Sequence, residues 1–284
     1  KTFLEINDII GINWPKVKRY LGEFYKVSED RPYTHTEIKQ LVDRAHNIRD
    51  KAIILLLSSS GMRRGAIPSI KLKHLKKIDK YNIFSIDVYK QAKEFYYTFC
   101  TPECRTVIEQ YLDWRKQMGE ELNPESPLFR EQFNPIASRT NIIPMSEMAI
   151  KHTLIRLRTE TGIAQAQMSK TKKNGSFRSE IMTAHGFRKF FDTTCTSGGM
   201  DVLFVELLMG HNIGLKKSYY KPQKKEVLEG NDRIRGYISV INDLTIGEEN
   251  RLKQQLETQT QESARYKDIV KQIEDIRKEI GLPP

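Results

Sequence analysis

Apolar positions recur along this chain at two periods. Helical spacing opens the main part of the sequence: Ile38, Leu41, Val42 and Ala45 stand at i, i+3, i+4 and i+7. Thr34, with Glu37 three residues on, forms a capping-box signature that starts this helix. Lys51 to Leu57 is apolar nearly all round, which predicts a buried helix ending in the serine run before Gly61. The period then shortens to two. Ile83 to Tyr89 alternates, and Glu94 to Phe99 is rich in aromatic and β-branched residues. These two stretches predict a hairpin with Lys90 and Lys93 at its tip. Helical spacing returns after Thr101-Pro102, with Val107, Ile108, Tyr111 and Leu112 on one face. It recurs at Met148, Ile150, Leu154, Ile155 and Leu157, and in a short apolar helix from Val202 to Leu208 closed by Gly210. The pattern predicts an α+β fold, mainly α with a small antiparallel β-sheet.

The same pattern divides the chain. Residues 1–30 hold a helix from Trp14-Pro15, with Val17, Tyr20, Leu21 and Phe24 on one side. That is too little to bury a core alone. Glu29 to Pro32 is a polar, proline-marked boundary. Residues 31–246 are expected to form the main domain. From Val227 to Ile246 the spacing reads as a helix broken near Gly230 and Gly236. Residues 247–284 read as a long charged helix. Tyr266, Ile269, Ile273, Ile276 and Ile280 repeat there by threes and fours, a short seam suited to a contact between protomers.

Charge narrows the partner. The 284 residues carry 47 Lys and Arg against 36 Asp and Glu, a net charge of +11. Such an excess points to a polyanion. Three cysteines, Cys100, Cys104 and Cys195, form no CxxC pair, which argues against a disulfide framework or a structural zinc. No stretch reads as a signal peptide or a membrane span, so a cytoplasmic protein with no membrane partner is expected. No phosphate-cradling glycine loop, HExxH helix or carboxylate cluster stands out. Neither a metal nor a cofactor is expected.

Thr183 to Tyr220 concentrates the reactive side chains. His185 and Arg188 stand three apart, on one face of a helix. Gly210-His211 ends the next apolar helix, and the pair Tyr219-Tyr220 follows. Arginine grips phosphate oxygens, histidine donates hydrogen bonds or moves protons, and tyrosine is a nucleophile once activated. The ordered set resembles the second half of the active site of tyrosine recombinases, the phage integrase and Xer-type family. That family has H-x-x-R, a later Gly-His, and a nucleophilic Tyr nine residues after that His, which here falls on Tyr220. Tyr219 is its neighbour and rival.

Upstream, Gly61-Met62-Arg63 resembles the context of the family's first catalytic arginine. Arg64 competes, but adjacent side chains cannot both face inward. The family usually carries an acid three residues after this arginine. Here Ala66 stands there, so that orienting partner is missing. Lys93 best matches the family's hairpin lysine, with Lys90 as the alternative. The basic stretch holding Lys170, Lys172, Lys173 and Arg178 precedes His185 and is expected, with Lys90, to touch the DNA backbone. The resemblance covers roughly residues 33–232, and the run from Gly210-His211-Asn212 to Pro222 is similar to archaeal integrases.

What the resemblance implies is specific. Arg63 and Arg188 would bracket a phosphodiester. His185 and His211 would bond to it, and His185 is placed to accept the phenolic proton. Tyr220 would attack and Lys93 would protonate the leaving 5′ oxygen. The family forms a 3′-phosphotyrosyl link on double-stranded DNA, without metal or ATP, as a homotetramer on two sites. Two other readings compete: a type IB topoisomerase that only relaxes supercoils, and a recombinase-like DNA-binding protein that no longer cleaves.

Overall fold

The computed structural model describes residues 13–20, 31–90, 92–131, 142–163, 181, 183–212 and 222–247. The chain divides into two compact units. One is Lys1–Glu29 with Ala166–Glu180, and the other is Asp30–Gln165 with Ile181–Pro284. Within the first, helix α1 (Trp14–Tyr20) starts where the Asn13 side chain accepts the Lys16 N–H at 3.0 Å. Tyr20, expected on its apolar side, is exposed.

The second unit is built around one buried helix. Helix α2 (His35–Arg44) begins with the reciprocal Thr34–Glu37 cap. Arg31 clamps the same carboxylate with both terminal nitrogens, at 2.6 and 2.8 Å. Helix α3 (Ile48–Ser60) follows, buried on every side from Ala52 onward. Its apolar run ends in three serines that would be costly to bury unbonded. Each hydroxyl donates back to a carbonyl of its own helix, to Leu55 twice and to Leu56. The helix therefore runs through them to Gly61, longer than the apolar run alone indicates. Helices α2, α4 (Pro102–Gln117) and α6 (His185–Ser197) pack around α3. Helix α5 (Glu147–Thr161), capped by Ser146, packs on α2.

The sheet has three antiparallel strands in the order β1 (Leu75–Ile78), β2 (Ile83–Val88), β3 (Tyr96–Phe99). Leu75 pairs with Ile86, and Ser85 with Phe99. β1 is only four residues, Leu-Lys-Lys-Ile, too short for its alternation to signal a strand. The central strand also departs from expectation. Its alternation predicts one wet face, yet all six residues are buried, Ser85 and Asp87 included. Asp87 is held there by three lysines: Lys76 at 3.3 Å, Lys90 at 3.4 Å and Lys224 at 3.2 Å.

Helix α7 (Val202–Leu208) is capped by Asp201, whose carboxylate accepts the Leu203 and Phe204 N–H groups. The expected broken helix after Val227 resolves into α8 (Lys224–Glu229), a 3₁₀ turn at Tyr237–Val240 and α9 (Ile241–Leu244). His35 bonds through Nε2 to the Asp243 carbonyl at 2.5 Å and lies edge-on to Phe190. It ties α2 to α9. Among the described residues no helix is long and apolar enough to cross a membrane.

Candidate active site

Two glycines bring distant segments to one place. Gly61 closes α3 at φ +60°, and a Cβ there would stand 2.4 Å from the Phe191 ring. Gly210 follows α7 at φ +66°, and a Cβ there would meet the Tyr96 ring at 2.5 Å. Both positions need a left-handed backbone and a close approach, so only glycine fits without strain. Between them runs α6, seated by the buried Phe187, Phe190 and Phe191. Tyr33 packs under its first turn, 4.5 Å from the Phe187 ring, and donates its hydroxyl to the Thr183 carbonyl at 3.1 Å.

Arg188 joins the three segments. It is 6% exposed. Its guanidinium donates to the Gly61 carbonyl and, at 3.2 Å from both terminal nitrogens, to the Met209 carbonyl. One of those nitrogens also lies 2.6 Å from His211 Nε2. Burial lowers the Arg188 pKa from its ordinary value, and the charge of Arg63 acts in the same direction. A guanidinium starts so high that it keeps its charge at neutral pH. The other ring nitrogen of His211, Nδ1, is 2.6 Å from Glu206 Oε2.

Arg63 sits on the rim. It was expected to reach inward, and its side chain is exposed, yet it donates to the Gly210 carbonyl at 3.2 Å. Its neighbour Arg64 turns to Glu147 on α5, at 2.6 and 3.1 Å. The two arginines diverge, and only Arg63 lies on the turn that carries His211. His185, exposed, occupies the first position of α6, one turn before Arg188.

The hairpin lysines differ in the same way. Lys90 is engaged with Asp87. Lys93 is exposed on the turn and makes no ion pair with any described residue. Tyr89, at φ +52°, begins that turn, and its ring lies edge-on to Tyr96 at 6.2 Å. Burial raises the Tyr96 phenol above its ordinary range, with Arg63 and Arg188 opposing. Tyr219, Tyr220, Lys170, Lys172, Lys173 and Arg178 lie outside the described residues, as does the seam from Tyr266 to Ile280.

Three of the sequence-predicted residues, Arg63, Arg188 and His211, thus meet at the Met209–His211 turn. Sequence reading missed Glu206. On α7 its one acid reads as an ordinary solvent-facing residue, and the only hint is its place five residues before His211. Ala66, where the resembled family has its acid, is buried. No group of three or more His, Cys, Asp or Glu that could hold a metal occurs among the described residues.

A buried arginine, a rim arginine and an imidazole beside a lysine-tipped hairpin make a site suited to an anion, and they sit on a helical fold with one small sheet. This chain belongs to the phage integrase family, which matches it over residues 32–226. It is 28% identical over 209 residues to tyrosine recombinase XerC of Staphylococcus aureus, covering 72% of this chain. The chain spans 58% of that relative's length. Its fold is similar to that of the integrase from mycobacterium phage Brujita, with a TM-score of 0.51 at 17% identity, over 78% of this chain and 67% of the other. These relatives are bacterial and phage proteins, and they lend nothing to the archaeal likeness of the run ending at Pro222.

Proposed function

We propose that this chain carries the catalytic domain of a site-specific DNA recombinase or integrase, which cuts and rejoins strands through a 3′-phosphotyrosyl intermediate. The observation behind this reading is the meeting of Arg63, Arg188 and His211 at one turn, in a chain of the phage integrase family. XerC, the curated relative, is itself named a tyrosine recombinase.

The roles follow from chemistry. Arg63 and Arg188 hold the non-bridging oxygens of the scissile phosphate and stabilise the charge that builds on it. His185 bonds to the same phosphate and accepts the phenolic proton, while His211 braces Arg188 from the turn at Gly210. Tyr220 attacks phosphorus and Lys93 donates a proton to the departing 5′ oxygen. The P–O bond to the 5′ oxygen is replaced by a P–O bond to tyrosine, so a 5′ hydroxyl from a second strand reverses the step without ATP. Residues 31–246 form this catalytic domain. Residues 1–30 belong to a DNA-clamping region or serve as a linker, and residues 247–284 contact a neighbouring protomer in a tetramer on two sites. Lys90 and the basic stretch with Lys170, Lys172, Lys173 and Arg178 track the backbone. The work takes place on cytoplasmic double-stranded DNA.

Two assays run side by side test this. The expected result is strand exchange between two target-bearing duplexes. Relaxation of a supercoiled plasmid without exchange would favour the topoisomerase reading. Binding with neither activity would leave a DNA-binding protein.

A further inference from the structure

We infer that Glu206 is a positioning residue of this site, holding His211 in one tautomer and one ring orientation. The geometry is a chain of three groups. Arg188 offers only N–H donors, and one of its terminal nitrogens is 2.6 Å from His211 Nε2. Nε2 must therefore accept. The proton of the neutral ring then belongs on Nδ1, which stands 2.6 Å from Glu206 Oε2 and donates to it. A ring turned over would set a C–H against each partner, and both bonds would be lost.

The backbone reinforces the pair. The His211 N–H donates to the Glu206 carbonyl at 3.0 Å, so the turn that carries the imidazole folds back onto the residue that orients it. Asp201 caps α7 at its other end, which fixes the helix carrying Glu206. Neither group is sealed in: the side chains of His211 and Glu206 are 36% and 32% exposed. Nε2 is thereby aimed at the guanidinium that also anchors Gly61 and Met209. Ala66 cannot supply a carboxylate, and Glu206 brings one from a different element. Its effect on cleavage rests on the recombinase reading, whereas the tautomer does not.

The test uses the full chain with ¹⁵N-labelled histidine and two-bond ¹H–¹⁵N correlation at neutral pH. The His211 signals are those missing from His211→Asn. We expect the Nδ1–H tautomer in the native protein and in Glu206→Gln, whose amide oxygen still accepts. Glu206→Leu should shift to Nε2–H or to a mixture. Cleavage by Glu206→Leu should fall by about 10- to 100-fold, as when an imidazole loses its orienting partner, with partial recovery in Glu206→Gln. A native Nε2–H tautomer would overturn the inference, even if Glu206→Leu fails to fold. So would unchanged tautomer and cleavage in Glu206→Leu. Failure of the native protein to cleave any duplex would instead count against the recombinase reading and leave the tautomer result standing.

Discussion

Arg63 and Arg188 share one proposed task, the grip on phosphate, but they carry different structural duties. Arg188 is the buried donor for the carbonyls that end α3 and α7. Removing it strands two buried acceptors, at about 1–3 kcal/mol each. Arg63 is exposed and satisfies one rim carbonyl. Arg63→Ala should therefore abolish cleavage with little change in melting temperature, while Arg188→Ala should lose both cleavage and several degrees of stability. Equal melting temperatures for the two variants would refute the distinction. Gly210→Ala combines a left-handed backbone with a clash against Tyr96. It should cost on the order of 2–5 kcal/mol and move His211, measured by denaturant unfolding and cleavage together. At this scale the sequence was informative where spacing is rigid. Three residues along a helix fix His185 relative to Arg188, and a glycine fixes the turn before His211. Glu206 was illegible because its role depends on how one turn folds back, which no periodicity records.

At the scale of elements, the hairpin separates its two lysines. Lys90 leans on Asp87, and Lys93 does not. Lys93→Ala should slow cleavage of an ordinary phosphodiester by about 100-fold or more, the usual range for a lost general acid, and Lys90→Ala should weaken DNA binding while leaving the rate on saturating DNA nearly intact. A 5′-bridging sulfur leaving group, which needs little protonation, should restore the Lys93→Ala rate. No restoration would remove Lys93 from that role. Asp87 itself gives a pH test. Burial acts to raise its carboxyl, but Lys224 and Lys76 outweigh burial and hold its pKa below the ordinary value. A carboxyl with a lowered folded pKa stabilises above its unfolded pKa, near 4, and that contribution is lost as pH falls through the folded pKa. Asp87→Asn should then be less stable at pH 7, and the gap from the native protein should narrow as pH falls from about 4 through the folded pKa. Here the sequence was partly misleading. β2 was legible as a strand, but its alternation carries no sign that Ser85 and Asp87 are buried. Asp87 is covered in part by Lys224, which also lies over the Tyr97 ring at 4.6 Å and comes from a helix 137 residues further on. Long-range cover of that kind leaves no local signature, and neither does a four-residue strand such as β1.

On the scale of the whole molecule, charge and chemistry point to the same ligand. A net charge of +11 spread over lysine-rich elements should make DNA affinity fall linearly with salt on logarithmic axes, with a slope near −0.9 per phosphate contacted. A flat dependence, read from fluorescence anisotropy across salt concentrations, would contradict a backbone-tracking surface. The fold class was legible in outline because long helices and one hairpin have opposite periods. The central claim, a covalent link through Tyr220, is tested most directly by trapping. The full chain is incubated with a pool of nicked random duplexes, and the adducts are digested and mapped by mass spectrometry. One nucleotide-bearing peptide is expected, modified on Tyr220 through a 3′ phosphate, absent from Tyr220→Phe and retained in Tyr219→Phe. No adduct from the native chain, or one that persists in Tyr220→Phe, would contradict it.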